Sequence, residues 1–236
     1  MVLTNNHCIT KSNRLIEACY RLSLEEQRVV LAAIATIDSR NERTPFNQEI
    51  QITISSYAST FSIDRNSAYS QVKKATDALF EREIKVKQPP EKGGGYKRMR
   101  WVSEVGYPEG QGYVKLRFSN GIEPFLYQLN NEFTSYKLKN VAGLRSIYSI
   151  RIYELIMQFK RTGERDITID LFREMLDLGE RYPMFSDLRK RVIQPAIKEL
   201  NLRTDLEFSW EPVKKGKRIV KLVFTAQQQA QQALAL

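Results

Sequence analysis

One stretch of the sequence concentrates side chains that can bind phosphate groups and the edges of nucleic-acid bases. Placing residues 185–201 at the helical period of about 100° per residue puts cationic and amide side chains on one face. These side chains are Lys190, Arg191, Gln194, Lys198 and Asn201. A helix with such a face can enter the major groove of DNA and present these groups to base edges and phosphates.

The opposite face of the same predicted helix is apolar, as a helix packed on a core requires. It carries Leu188, Val192, Ile193, Ala196 and Leu200. Ser186 is the predicted N-cap, because its hydroxyl can accept from a backbone N–H of the first turn. Arg189 falls among the apolar residues and reaches DNA only if the first turn is open to solvent. Pro195 lies inside the helix and should bend it.

The alternative interpretation is a solvated charged face on an ordinary amphipathic helix, which most charge runs form. The residues that follow favour nucleic-acid binding. Two alternating apolar and polar runs, over residues 206–210 and 220–224, predict a β-hairpin. Its tip carries four cations, Lys214, Lys215, Lys217 and Arg218. A helix followed by a basic hairpin is the pattern of a winged helix, in which the helix enters a groove and the wing contacts the adjacent backbone.

The local charge agrees with that interpretation. From Ser186 to Lys221 the sequence contains ten Lys and Arg residues against five Asp and Glu residues, which gives a net charge of +5. The whole chain of 236 residues has a net charge of +10. A balance of this sign predicts a polyanion as partner.

A second helix-turn-helix is predicted in the first half of the chain. A short helix that begins at Ser55, a turn at residues 62–65 and a longer helix over residues 66–83 give the required order. The polar face of the longer helix carries Asn66, Ser70, Lys73, Lys74 and Asp77. A plain helical hairpin explains these residues equally well. Because Asp77 repels phosphate, we expect this face to contribute less to binding than the later one.

The chain lacks the residues that most enzymatic sites need. Its single histidine, His7, argues against a metal-dependent nickase with paired histidines, and leaves no zinc site and no Ser/His or Cys/His pair. The glycine run at residues 93–95 has the wrong spacing for a phosphate-binding loop. We therefore predict a non-enzyme with no catalytic residue, no metal site and no cofactor.

The cellular setting is predicted from equally simple features. No apolar run approaches the roughly 18 residues of a membrane span, and the first residues contain no apolar signal segment. Cys8 and Cys19 form neither a metal-binding spacing nor a disulfide framework. A cytoplasmic protein with no membrane partner is the expectation.

The remaining segments complete two similar units. Residues 1–12 are predicted to be frayed, and Ser23 with Glu26 forms a capping box that opens a helix. Strands over residues 84–87, 98–107 and 113–119 predict a larger wing in the first unit. In this wing Trp101 and Tyr107 fit core packing better than nucleic-acid contact. The Gln- and Ala-rich tail is expected to be a frayed helix or disordered.

Two stretches of the chain follow one design. Residues 52–55 and 167–170 each contain three strand residues and then a helix cap, Ser55 in one and Asp170 in the other. They lie 167 − 52 = 115 positions apart, close to half of the chain. The predicted fold is therefore α+β, with two tandem winged-helix domains related by duplication. The domains are residues 1–130 and 131–226, followed by a tail at residues 227–236.

The sequence resembles the iteron-binding replication initiators of theta-replicating bacterial plasmids. The resemblance depends on residues 13–28, on the Tyr-Ser-Ile-Arg-Ile-Tyr-Glu helix at residues 148–154, on residues 185–193 and on the basic hairpin at residues 214–218. It runs from about residue 13 to residue 226. The two helical motifs are specific together, although each alone is weak.

The resemblance implies a function and a set of partners. Such proteins bind direct repeats of their origin as monomers, mainly with the second domain, while the first contacts the DNA backbone. As dimers, joined largely through the first domain, they bind an operator inverted repeat and repress their own gene. Monomers at the origin bring in the host replication initiator and the replicative helicase. By position, Arg189, Lys190 and Arg191 match the family's basic recognition helix, whereas Pro195 departs from the expected aliphatic residue. The alternative function is a dedicated winged-helix transcriptional repressor.

Overall fold

The computed structural model describes residues 3–39, 41, 45–129 and 131–228. Each half of the chain contains both helices and strands. None of the helices in these ranges is long and apolar enough to cross a membrane.

The first half begins with a strand and two helices, continues with a strand and two helices, and ends with four strands. Its helices are α1 (Asn13–Ile16), α2 (Leu24–Ile34), α3 (Ile54–Phe61) and α4 (Arg65–Glu81). Its strands are β1 (Cys8–Ser12), β2 (Ile50–Thr53), β3 (Glu83–Lys87), β4 (Tyr96–Arg100), β5 (Val102–Gly106) and β6 (Tyr113–Phe118). The predicted capping box is confirmed at the start of α2. Ser23 Oγ accepts from the Glu26 N–H at 3.1 Å, and a Glu26 carboxylate oxygen accepts from the Ser23 N–H at 2.8 Å.

The second half has a similar order, with a strand before each group of helices and a hairpin at its end. Its strands are β7 (Phe133–Lys137), β8 (Glu164–Thr168), β9 (Leu206–Lys215) and β10 (Arg218–Gln228). Its helices are α5 (Lys139–Ala142), α6 (Ile147–Met157), α7 (Ile169–Met175), α8 (Phe185–Leu188) and α9 (Gln194–Arg203). One π-helical turn, Arg189–Ile193, joins α8 to α9. The continuous helix over residues 185–203 is called the recognition helix below.

The two halves share one sheet topology. The strand order is β2-β6-β5 in the first half and β8-β10-β9 in the second, and all pairs are antiparallel. In both sheets the strand before the short helix pairs with the last strand of the hairpin, as Ile52 with Val114 and Ile167 with Leu222 show. This confirms the predicted α+β fold of two tandem winged helices.

The helix caps differ from the prediction in both copies. Helix α3 begins at Ile54 after Thr53, and α7 begins at Ile169 after Thr168. Ser55 and Asp170 therefore lie in the first turn and are not N-caps. In each copy the strand ends at the threonine, Thr53 or Thr168, and this residue has the extended conformation of an N-cap. In the second copy the Thr168 hydroxyl accepts from the Leu171 N–H at 3.3 Å.

The wing of the first half is smaller than predicted, because the strand expected over residues 98–107 is broken. Trp101 separates β4 from β5, is fully buried and packs edge-on against Tyr20 with ring centroids 5.0 Å apart. Strands β3 and β4 form their own two-stranded sheet, and the wing itself is the β5–β6 hairpin. The prediction of core packing for Trp101 is confirmed.

Residues 8–12 form a strand, which corrects the prediction of a frayed segment for them, whereas Met1 and Val2 lie outside the described residues. Strand β1 pairs antiparallel with β7, from Cys8 opposite Lys137 to Ser12 opposite Phe133. Its residues after Cys8 are buried, including Ile9 and Lys11. The start of the chain therefore belongs to a sheet whose other strand lies in the second half.

Buried polar contacts also join the two halves. The Arg151 guanidinium on α6 donates to the Tyr20 hydroxyl at 2.5 Å, the Ala18 carbonyl at 3.0 Å and the Met175 carbonyl at 2.9 Å. The bonds to Tyr20 and Ala18, together with the β1–β7 pair, join residues 1–130 to residues 131–226, and the predicted domain boundary stays a prediction. Asn130 itself and residues 229–236 lie outside the described residues. Strand β10 continues through Gln228, two residues into the predicted tail.

Candidate nucleic-acid interface

The recognition helix begins at Phe185, two residues earlier than a helix capped by Ser186 would begin. The preceding residue, Met184, has the extended conformation of an N-cap but makes no side-chain capping bond. Ser186 is consequently inside the first turn, which corrects its prediction as the N-cap. The first turn is nevertheless open to solvent, because Arg189 is exposed.

Pro195 is accommodated by a change of helix type. The Gln194 N–H donates to the Arg189 carbonyl, five residues earlier, which is the bond of a π turn. Proline has no N–H to donate, and in a regular α-helix its ring would clash with the carbonyl of Arg191. The helix therefore departs from regular α-helical geometry near Pro195, and it does so as a wider π turn just before the proline.

The wider turn keeps the apolar stripe aligned with the core. The stripe advances in steps of four residues, from Leu188 to Val192, Ala196 and Leu200, and all four side chains are buried. Four-residue steps exceed the 3.6 residues per turn of an α-helix, so this stripe would drift around a regular helix. The π turn reduces that drift and holds the polar face at a constant angle to the core.

Glu199 bonds the recognition helix to the start of α6. Its carboxylate accepts from the Arg145 N–H at 2.8 Å, the Ser146 N–H at 3.2 Å and the Ser149 hydroxyl at 2.6 Å. These donors lie at the start of α6, where unpaired N–H groups and the helix dipole favour a carboxylate. The bonds tie the recognition helix to the most buried helix of the second half.

The exposed face of the recognition helix carries five of the predicted DNA-binding residues. These are Arg189, Lys190, Arg191, Gln194 and Lys198, all of which are exposed. The Arg191 side chain is 69% exposed, and its Nε lies 3.9 Å from the Asp187 carboxylate one turn earlier. A contact this long at the surface leaves the guanidinium available for a bidentate contact with a guanine or a phosphate.

Asn201 is the sixth DNA-binding residue predicted in this helix, and its side chain also forms hydrogen bonds within the protein. Its side-chain amide donates to the Phe208 carbonyl at 2.9 Å, and its amide oxygen accepts from the Phe208 N–H at 2.6 Å. Both ends of the amide are thus used to fasten β9 to the recognition helix. Asn201 therefore positions the wing, and because the residue is also exposed its prediction as a DNA contact stays a prediction. The helical wheel could not reveal this, because the partner is main chain.

The wing of the second half is the β9–β10 hairpin, as predicted. Lys214, Lys215, Lys217 and Arg218 are all exposed at its tip. Gly216 has φ of 62° in the two-residue turn, at the position where a type II′ turn requires glycine. Phe185 packs against Trp210 with ring centroids 6.3 Å apart, so the wing lies beside the start of the recognition helix.

The charges at the wing tip repel one another. Lys215 lies directly opposite Arg218 in the hairpin register. Like charges in directly opposed positions destabilise a hairpin. An anion between them removes that repulsion, so the tip is suited to a phosphate backbone.

The predicted face of the first half is exposed as well. Asn66, Ser70, Lys73 and Lys74 all lie on the solvent side of α4. Asp77 accepts from the Tyr107 hydroxyl at 2.6 Å, and Lys73 Nζ lies 5.1 Å from the centroid of the Tyr107 ring. Burial and the bond to Asp77 raise the pKa of Tyr107, so the phenol stays protonated and keeps donating. Tyr107 therefore links Asp77 to the wing of its own half.

Arg65 and Tyr69 are exposed residues of α4 that the prediction did not include. Arg65 is the first residue of the helix, and Tyr69 is 38% exposed one turn later. Tyr69 follows Asn66 by three residues and precedes Lys73 by four, so it belongs to the same face. A helical wheel that counted exposed aromatic side chains as well as polar ones would have identified Tyr69, because aromatic rings stack on bases. Within the described ranges no group of three His, Cys, Asp or Glu side chains could hold a metal ion.

Comparisons with known proteins agree with this architecture. The family model described as "Initiator Replication protein, WH1" matches residues 8–157, and "Initiator Rep protein, WH2" matches residues 168–226. A replication initiation protein of Escherichia coli is 30% identical over 227 residues, which cover 92% of this chain and 68% of that protein. The PI protein of Escherichia coli is 27% identical over 252 residues, covering 92% of this chain and 81% of the relative.

A solved structure has the same fold. The crystal structure of the Pi initiator protein in complex with iteron DNA superposes with a TM-score of 0.79 over 97% of this chain and 100% of that one, at 22% identity. With both family models matched in order along the chain, the assignment does not depend on any single motif. The chain belongs to the family of initiator replication proteins, whose WH1 and WH2 parts are the two winged helices described above.

Proposed function

We propose that this protein initiates replication of a plasmid by binding, as a monomer, the direct repeats or iterons of its origin. The observation that carries the proposal is the exposed cationic face of the recognition helix beside a basic wing tip. The fold that the chain shares with the Pi initiator in its complex with iteron DNA supports the same partner.

Duplication of the winged helix gives the site its expected length. Two tandem helix-turn-helix units bind two successive major grooves about 34–36 Å apart. The site is therefore about two turns long and asymmetric, because α4 and the recognition helix present different side chains. We propose that the recognition helix supplies most base contacts through Arg189, Lys190, Arg191, Gln194 and Lys198. The α4 face, at Asn66, Ser70, Lys73 and Lys74, contacts mainly the backbone.

A dimer in equilibrium with the monomer is proposed for repression of the protein's own gene through an operator inverted repeat. The first domain, about residues 1–130, supplies most of this interface. Strand β5 supports that assignment, because in the described residues it pairs only with β6 and leaves one edge of its sheet without a partner strand. The second domain, about residues 131–226, is proposed to carry most of the sequence-specific binding.

The remaining proposals concern the protein's setting. It acts by binding and not by catalysis, since the single histidine of the chain leaves no pair for strand cleavage. It works in the cytoplasm, where monomers at the origin bring in the host replication initiator and the replicative helicase. Strand cleavage by the purified protein in added divalent metal would contradict the non-catalytic mechanism.

The experiment that tests this function is a footprint of the purified protein on DNA that flanks its own gene, at physiological salt. Protection that repeats in phase over several direct copies supports an initiator and measures the length of one site. Protection of one inverted repeat at the promoter alone would support a dedicated repressor and contradict the proposal.

A further inference from the structure

A second concave site lies at the end of the second half that is farthest from the wing tip. It is a cleft of about 350 Å³ between the β1–β7 pair, α6 and the base of the β9–β10 hairpin. Leu206 and Gln228, which close this base, are paired across the hairpin and line the cleft. Nine residues of strand separate Leu206 from Lys215 at the tip, a length of about 30 Å. DNA held at the wing tip therefore leaves the cleft open to solvent.

The rim of the cleft is strongly cationic. Lys137, Lys139 and Lys160 line it, against one carboxylate, Asp205. All three lysines are exposed, and none of them forms an ion pair with another described residue. Lys137 Nζ donates to the Asn6 carbonyl at 3.0 Å, which holds one of the three cations at the rim. The net positive charge is therefore uncompensated within the described part of the protein.

Part of the wall of the cleft is apolar. Met157 and Leu206 are buried side chains that line it. Tyr153 forms the adjoining surface, and its hydroxyl accepts from the Asn140 amide at 2.9 Å, which fixes the ring. A ligand that fills this space needs an apolar group for the wall and anionic groups for the rim.

We propose that this cleft binds an acidic segment of a protein partner, with carboxylates on the three lysines and an apolar side chain against Met157 and Leu206. A small inorganic anion would leave the apolar wall uncovered. Nucleic acid is the less suitable ligand, because the rim offers point charges and neither an Arg fork nor an exposed aromatic ring on which a base could stack. Since the cleft and the wing tip lie at opposite ends of one hairpin, the protein binds this partner and DNA at the same time.

The first test measures binding of an acidic probe to the full-length protein. The probe is a fluorescein-labelled peptide of about twelve residues, rich in Asp and Glu with two leucines one helical turn apart. The matched control replaces two equally exposed lysines of the β3–β4 hairpin region, Lys92 and Lys97, which also lack ion pairs in the described residues. We expect Lys139→Glu with Lys160→Glu to weaken binding about tenfold or more, and Lys92→Glu with Lys97→Glu to change it less than about twofold. Equal losses in the two variants, or no binding at about 1 mM protein, would overturn the proposal.

The second test uses Cys8, whose exposed thiol lines the same cleft. Bound peptide should slow alkylation of Cys8 by iodoacetamide several-fold in the wild type and not in the Lys139→Glu, Lys160→Glu variant. Cys19 should contribute little to the measured alkylation, because burial and the nearby Asp177 raise the pKa of its thiol to about 11. Bound peptide should protect Cys8 to the same extent when the protein also has specific DNA bound. Protection of Cys8 by random-sequence duplex DNA in place of the peptide would reassign the cleft to nucleic acid and overturn the proposal.

Discussion

Lys11 Nζ lies 2.6 Å from Glu154 Oε1, and neither side chain is exposed to solvent. Lys11 belongs to β1, and Glu154 belongs to α6, 143 residues later in the chain. The Tyr136 hydroxyl donates to the same carboxylate oxygen at 2.5 Å. Burial alone would raise the pKa of Glu154, but Lys11, Arg151 and Tyr136 together lower it below its ordinary value. The ion pair thus fastens the N-terminal strand to the central helix of the second half.

Replacing Lys11 alone should be strongly destabilising. Lys11→Met leaves the Glu154 carboxylate buried without its main partner, which we expect to lower the free energy of unfolding by about 3–5 kcal/mol. Adding Glu154→Leu removes the uncompensated charge and should recover most of that loss. The measurement is urea denaturation of each variant.

The matched control for this prediction is the surface pair between Lys221 and Asp166. Its side-chain atoms are 2.5 Å apart, but the side chains are 45% and 57% exposed. Lys221→Met should therefore cost less than about 1 kcal/mol. Similar losses for Lys11→Met and Lys221→Met would mean that burial adds nothing to the first ion pair.

Glu154 should also make stability depend on pH. Its pKa is lowered in the folded protein from the ordinary value of 4.5, so the unfolded chain binds the proton more tightly. The contribution to stability is complete above pH 4.5 and is lost as the pH falls through the folded pKa. In Glu154→Gln this contribution is absent. We expect the free energy of unfolding to fall less steeply below pH 4.5 in the variant than in the wild type; parallel curves would contradict the assignment.

The sequence predicted the elements whose signals are local. The capping box at Ser23, the apolar stripe from Leu188 to Leu200 and the basic hairpin each depend on residues a few positions apart. The structure confirms all three. The spacing of Ile52 and Ile167 likewise predicted the duplicated topology. These features follow from helical and strand periodicity, which a single sequence displays.

What the sequence could not predict depends on distant partners. Strand β1 is polar enough to be taken for a frayed end, because its partner lies about 125 residues away. Lys11 is ordinary in the sequence and unusual only beside Glu154. Asn201 matched the polar face of the recognition helix, yet its amide is bonded to main chain that no wheel includes. Periodicity assigns a residue to a face but does not identify what covers that face.

Arg191 is expected to recognise one base. If its guanidinium pairs with a guanine, Arg191→Ala should cost about 1–3 kcal/mol of binding and relax the preference at one base position. The measurement is the affinity for a set of duplexes that each alter one position of the footprinted site. Lys92→Ala serves as a control for the loss of one exposed cation. Uniform weakening over all duplexes would reassign Arg191 to a phosphate.

The wing tip is expected to contribute equally to the binding of specific and random DNA. Lys215→Ala and Lys217→Ala should each weaken binding to specific and random DNA alike. Each should also reduce the slope of log affinity against log salt by about one, because one phosphate contact is lost. The measurement is a salt titration of binding for the two variants and for Lys92→Ala. An unchanged slope in both wing variants would exclude the proposed contact.

The dependence of the second half on β1 can be tested by dividing the chain. If the first domain supplies the dimer interface, a cut near residue 130 should leave a monomeric fragment that binds DNA, and a dimeric fragment would contradict that assignment. The structure adds that a fragment beginning at Asn131 lacks Lys11 and Tyr20. Glu154 and Arg151 then lose partners from the first half, so we expect the fragment to be markedly destabilised.

Two variants of that fragment identify the cause. Glu154→Leu with Arg151→Met should raise its melting temperature, because it removes two buried charged groups that have lost their partners from the first half. Asp166→Leu with Lys221→Met, which alters the exposed pair, should not. A wild-type fragment that melts cooperatively at the temperature of the full chain would show that β1 and its buried ion pair are dispensable for folding of the second half. In that outcome the contacts between the halves would serve only to set the spacing of the two winged helices on DNA.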